Sequence, residues 1–185
     1  MHPRHIPNLI TLVRIVLVWP VTELMLEGNF VWSLGLFALA GISDGLDGFL
    51  AKHYGWQSRL GSYLDPLADK LLLICCYVAA GWLGLLPTWL VLVVILRDAV
   101  IVTGAVAYYF LLHPFEGQPH WSSKINTFLQ LALILAVLAH QVWPGRWEIP
   151  ILWLIPMVLA STLGSGAWYV WDWGTRYVQE KRQIR

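Results

Sequence analysis

The sequence predicts an all-α, polytopic membrane protein with six transmembrane helices and both termini cytoplasmic. Three observations carry that expectation. Hydrophobic residues make up 58% of the 185 positions and charged residues only 12%, a composition too apolar for a water-soluble globule. The apolar residues gather into six runs, each long enough for a helix to cross roughly 30 Å of hydrocarbon. Lys and Arg fall almost entirely on one side of those runs, as the positive-inside rule requires of cytoplasmic segments.

The first span, Ile6 to Leu26, starts close to Met1 and carries Arg14 near its middle. No small-residue cleavage site follows it, so it is expected to remain in the mature protein and not to be removed as a signal peptide. The second span, Phe30 to Leu50, ends in acids, and the third, Leu64 to Leu83, opens with them. The fourth, Pro87 to Leu112, contains Arg97-Asp98. The fifth, Ile125 to Trp143, begins just after Lys124, and the sixth, Ile149 to Trp171, leads into a charged tail read as a solvated flank. Arg4, Lys52, Arg59, Lys124, Arg176, Lys181, Arg182 and Arg185 all lie on the side of the termini, against Arg146 alone on the other. Trp143, Trp147, Trp168, Trp171 and Trp173 cluster at span ends, where indole rings anchor helices at the interface. With no linker, repeat or low-complexity tract, residues 1–185 are expected to form one membrane domain. Cys75 and Cys76 are adjacent, where helical geometry opposes a disulfide between them, and are read as packing residues.

Against this background, Asp44, Asp47, Asp65 and Asp69 stand out within 26 residues. A charged side chain at a helix centre costs roughly 2.5 to 3.5 kcal/mol on insertion scales, so four acids at membrane depth call for a cation or a water-filled cavity. Asp44 and Asp47 are spaced i, i+3 and Asp65 and Asp69 i, i+4, so each pair shares a helical face. The short connection between them makes their helices antiparallel neighbours, with both pairs toward the cytoplasmic end. A cluster of oxygen ligands without His or Cys favours Mg²⁺, Mn²⁺ or Ca²⁺ over zinc or copper. Gly45, Gly48, Gly55 and Gly61 and the small Ala51 leave room for phosphates or a sugar near the backbone. Asp65-Pro66 reads as a helix start, with Asp65 at the N-cap and free also to ligate.

The pattern Asp44-x2-Asp47-Gly48-x2-Ala51-Lys52-x8-Gly61-x3-Asp65-x3-Asp69 resembles the signature of the CDP-alcohol phosphatidyltransferases. Six spans and cytoplasmic ends fit the same family. The resemblance implies transfer of a phosphatidyl group from CDP-diacylglycerol to an alcohol, with release of CMP and a need for Mg²⁺ or Mn²⁺. It assigns Asp44, Asp47 and Asp65 to one metal, places Asp69 with Asp44 and Asp65 near a second, and makes Asp69 the catalytic base. Asp47, Gly48, Ala51, Lys52 and Gly61 would bind CDP-diacylglycerol. Lys52 departs from the family's usual Arg, putting a point charge where a planar fork is the rule.

Family members that use glycerol 3-phosphate typically carry a further Arg eight residues beyond the position of Arg97, suited to a phosphate monoester. Here that position is Ala105. Segments Gly35 to Gly41, Leu60 to Lys70, Arg97-Asp98 and Ser123 to Thr127 resemble the CMP-forming cardiolipin synthases, which use phosphatidylglycerol, and are shared in part with phosphatidylglycerophosphate synthases, as is Asn8 to Arg14. Phosphatidylglycerol is therefore the expected acceptor and glycerol 3-phosphate the alternative. Arg97 and Lys124 are candidate acceptor contacts; Arg97-Asp98 also reads as a neutralised structural pair, and Lys124 as an interfacial anchor. Arg14 is expected to have an interior polar partner, because Glu23 lies too far along the same helix.

A small ion transporter is the competing reading, weakened by the clustering of the acids at one end and by the lack of an inverted repeat. The expected partners are lipids, with no nucleic acid. The family fold commonly forms homodimers, and Gly164-Ser165-Gly166-Ala167 permits close helix packing. Lack of a presequence points to a bacterial inner membrane, with the active site facing the cytoplasm.

Overall fold

Six helices and no strand form among the described residues, which in this computed structural model are 6–53, 59–111 and 121–183. They are α1 (Ile6–Leu26), α2 (Phe30–His53), α3 (Arg59–Trp82), α4 (Thr88–Leu111), α5 (Trp121–Val142) and α6 (Glu148–Gln183). α1 coincides with the first expected span, and the other helices begin within a few residues of theirs. Two boundaries differ for a physical reason. α3 starts at Arg59 and runs through Asp65 and Pro66, so Asp65 lies inside the helix and not at its N-cap. α6 continues through the charged tail to Gln183 over 36 residues, roughly 54 Å at the helical rise and well beyond the hydrocarbon thickness. Polar turns are invisible to a hydropathy criterion, which sees only the apolar part of each helix.

Leu9–Leu26, Trp121–Val142 and Glu148–Asp172 are long and apolar enough to cross a membrane, and Phe30–Gly45 is a shorter apolar helix. Side-chain placement follows the same logic. Leu12, Val16, Leu92, Leu96, Leu152 and Leu163 are exposed, whereas Thr11, Arg14, Arg97, Asp98, Asn126 and Thr162 are buried. A water-soluble bundle reverses this order; greasy outside with polar inside is the distribution of a membrane protein.

The chain divides into two compact units, Met1–Leu86 with Ile134–Ile151, and Pro87–Leu133 with Leu152–Arg185. In the first, α1 packs against both α2 and α3. Val21, Met25, Phe37, Ala40, Leu72, Leu73, Tyr77 and Ala80 are buried there, and the buried Ser33 Oγ donates to the Val21 carbonyl at 3.0 Å. Cys75 and Cys76 are free thiols, as their adjacency implies. In the second unit the buried residues include Leu90, Val94, Leu133 and Val158, together with a polar group described below.

Gly28 and Gly84 close α1 and α3 with φ of 77° and 70°. Gly84 N donates to the Gly81 carbonyl at 3.1 Å and Leu85 N to the Ala80 carbonyl at 2.8 Å, a paired arrangement that caps the last turn and turns the chain sharply. A Cβ on Gly84 meets nothing within 4 Å, so the cost of Gly84→Ala is conformational alone. It is expected to lower stability by about 1–2 kcal/mol. Gly164→Ala, equally open but with no positive φ, is the control and is expected to be neutral or stabilising by up to about 1 kcal/mol. Unfolding midpoints in detergent check both.

Candidate active site

α1 brings two polar side chains to the faces of α2 and α3. Thr11 and Arg14 are one turn apart, so they share a face of an otherwise apolar helix. Thr11 is fully buried and its Oγ1 donates to Asp65 Oδ1 at 2.5 Å. Arg14 is 1% exposed, and its Nη1 lies 2.6 Å from both Asp44 Oδ1 and Asp69 Oδ1. Three of the four acids singled out in the sequence are thereby drawn to one face of α1. Asp44 comes from α2, and Asp65 and Asp69 from adjacent turns of α3. Because one nitrogen touches both, the Asp44 and Asp69 oxygens are no farther apart than twice that 2.6 Å contact. The carboxylates of Asp44 and Asp69 keep 43% and 36% of their side-chain exposure, so ligand access remains.

Asp47 belongs to α2 by its backbone, but its side chain, with Gly48, Ala51, Lys52 and Gly61, lies outside the described residues. Among the described residues no set of three acids, histidines or cysteines is drawn tightly enough to hold a metal ion, and the cation between Asp44 and Asp69 is the Arg14 guanidinium. The donors themselves still suit a hard divalent cation: three carboxylates with no nitrogen or sulfur ligand, gathered from two helices and still partly open to solvent.

Sequence reasoning did not find the role of Thr11. The only signal for it was the spacing Thr11-x2-Arg14, which puts a hydroxyl beside a charge inside a greasy helix.

The second unit holds a separate polar group. Arg97 and Asp98 pair at 2.7 Å through Arg97 Nη1, with side chains 4% and 5% exposed. Arg97 Nε donates to Ser165 Oγ and Nη2 to Ser123 Oγ, both at 3.1 Å. α4, α5 and α6 are thus joined by one guanidinium. A Cβ on Gly166 would come 3.4 Å from Arg97 Cγ, so the small-residue run on α6 serves here to admit an arginine stem. Beside it, Asn126 Oδ1 accepts from Ser161 Oγ and Thr162 Oγ1, each at 2.8 Å.

Lys124 is exposed, with its Nζ 5.2 Å from the centroid of the Trp121 ring. With Ser123, Thr127, Phe128 and Leu131 it lines an open groove of about 340 Å³. Lys124, Asn126 and Gln130 do not share one face: Lys124 points out, while Asn126 and Gln130, spaced i, i+4, are fully buried.

Comparison with known proteins identifies the family. The CDP-alcohol phosphatidyltransferase family model matches residues 4–168. The chain is 36% identical to a cardiolipin synthase (CMP-forming) of Rattus norvegicus, over 96% of this chain and 64% of that protein. It is 35% identical to the cardiolipin synthase (CMP-forming) of Homo sapiens, with the same two coverages of 96% and 64%. It is also 35% identical to a chloroplastic CDP-diacylglycerol–glycerol-3-phosphate 3-phosphatidyltransferase of Oryza sativa subsp. japonica, over 89% of this chain and 57% of that one. The chain therefore spans less than two thirds of the length of each of these three relatives.

Proposed function

The chain belongs to the CDP-alcohol phosphatidyltransferase family, and on that premise we propose that it transfers a phosphatidyl group from CDP-diacylglycerol to phosphatidylglycerol, forming cardiolipin and CMP. The observation that carries the proposal is the gathering of Asp44, Asp65 and Asp69 on the Thr11-Arg14 face of α1. A transport path would spread its polar groups through the depth of the bilayer, whereas these acids gather on one face of α1.

In this reading Asp44, Asp47, Asp65 and Asp69 hold the divalent cation, Mg²⁺ or Mn²⁺. When bound, it supplies charge neutralisation for the pyrophosphate and for the departing CMP. Asp47, Gly48, Ala51, Lys52 and Gly61 receive the cytidine diphosphate. Asp69 takes the proton from the acceptor hydroxyl as the new O–P bond forms and the P–O bond to CMP breaks. The acyl chains stay in lipid while the nucleotide stays at the water interface. We place this site on the cytoplasmic side of a bacterial inner membrane, in a single six-span domain with both termini cytoplasmic, acting as a homodimer.

For the acceptor, Ala105 stands where a second arginine would grip a phosphate monoester. Arg97 is already committed to Asp98, Ser123 and Ser165, so its charge is largely cancelled. We assign it to shaping the acceptor site and Lys124 to meeting the acceptor's phosphate. A phosphodiester carrying one charge suits a groove whose exposed cation, among the described residues, is Lys124. The rice relative, named for glycerol 3-phosphate, makes that acceptor the specific alternative.

CMP release by the purified protein in lipid-containing detergent, with Mg²⁺ or Mn²⁺ and either acceptor, separates the two. Phosphatidylglycerol-dependent release is expected. Release with glycerol 3-phosphate alone would move the assignment to phosphatidylglycerophosphate synthesis, and metal-dependent release with neither would sink both.

A further inference from the structure

Arg14 is the largest fully buried side chain among the described residues, and a guanidinium does not give up its proton in proteins. A charge held this deep in an apolar helix is costly unless opposite charge lies against it. Here the opposite charge is Asp44 Oδ1 and Asp69 Oδ1, each 2.6 Å from one nitrogen. One belongs to α2 and the other to α3, so the contact ties two helices together through a third. Both oxygens belong to carboxylates that the proposed function gives to the divalent cation.

Resting on that reading, we propose that Arg14 is a positioning residue and the internal counter-cation of the metal site: it holds Asp44 and Asp69 together before metal arrives and competes with the divalent cation for their charge.

Two opposed consequences follow from one contact. Without Arg14, the metal-free protein carries facing carboxylates with no cation between them, and like charges at that separation repel. The metal-bound protein, in contrast, loses a positive neighbour of the metal, and binding tightens. A residue that only filled space would produce the first effect without the second. Lysine at this position keeps the charge but not the planar fork. It is therefore expected to preserve the metal affinity while weakening the tie between α2 and α3.

The test is Mn²⁺ binding by the purified full chain in lipid nanodiscs, followed by the loss of the free-ion electron paramagnetic resonance signal, with thermal unfolding in EDTA and in Mn²⁺. Arg14→Gln is expected to bind Mn²⁺ about tenfold more tightly than wild type. It should unfold at a lower temperature in EDTA and gain more from Mn²⁺ than wild type does. Arg14→Lys is expected to keep the wild-type Kd and to show a smaller loss in EDTA. Arg14→Gln that can be recovered only in the presence of Mn²⁺ also supports the proposal, since the added ion then replaces the missing cation.

Equal or weaker Mn²⁺ binding by Arg14→Gln would overturn it, as would tightening by Arg14→Lys to the same extent, or misfolding of Arg14→Gln with and without Mn²⁺. Failure of the wild-type chain to bind Mn²⁺ at all would instead remove the metal reading on which this inference stands.

Discussion

Asp69→Asn is expected to lower CMP release by about 100- to 10,000-fold, the range associated with loss of a positioned general base. The substitution is nearly isosteric. An amide oxygen still accepts the 2.6 Å hydrogen bond that Arg14 Nη1 donates to Asp69 Oδ1, so the tie between α1 and α3 is kept. What the amide lacks is the ability to take a proton from the acceptor hydroxyl. The unfolding midpoint should therefore stay near that of wild type while turnover collapses. Raising the Mn²⁺ concentration separates a base from a ligand. It should not restore Asp69→Asn, whereas Asp44→Asn, in which only a ligand has been weakened, should regain part of its activity. Turnover by Asp69→Asn within tenfold of wild type would remove Asp69 from the role of base and leave it as one carboxylate among several.

The largest effect on stability is expected at Arg97→Met, about 3–5 kcal/mol, because it breaks a buried ion pair from one side only. Arg97 and Asp98 are almost wholly withdrawn from solvent, and the guanidinium also supplies hydrogen bonds to Ser123 on α5 and Ser165 on α6. Methionine fills much of the same volume but takes the Arg97 cation away from the buried Asp98 carboxylate. Converting Asp98 to Asn in the same chain removes the charge that Arg97 offset, and the double variant is expected to recover at least half of the loss. Ser165→Ala, which takes one neutral acceptor from a charged donor, should cost about 1.5–3 kcal/mol. Unfolding in mixed micelles gives all three values. A cost below about 1 kcal/mol for Arg97→Met would mean that water reaches the pair and that the arginine is available to ligands after all.

These two residues show different degrees of legibility in the chain itself. Asp69 stood out because a charge in an apolar run is costly wherever the helix ends up, and its spacing from Asp65 set a shared face without any tertiary information. Arg97 was legible as a charge but not as a partner. Beside Asp98 in sequence, it read first as an acceptor contact and only second as a neutralised structural pair, and Ser123 and Ser165, on other helices, gave no local sign of meeting it.

Composition and hydropathy by themselves determined the all-helical class and six helices that begin close to their observed starts, and the spacing of the acids and glycines in Asp44 to Asp69 supplied the candidate site and the family that this motif resembles. All of these depend on residues near one another along the chain. The extra turns of α3 before Leu64 and of α6 beyond Trp171 escaped because polar turns leave no hydropathy signal. Only the tertiary structure decided which faces meet: Thr11 with Asp65, Arg14 with Asp44 and Asp69, and Arg97 with Ser123 and Ser165. A buried charge announces in sequence that it needs a partner, but the partner is chosen by helix packing between residues distant in the chain, and no local pattern records that choice.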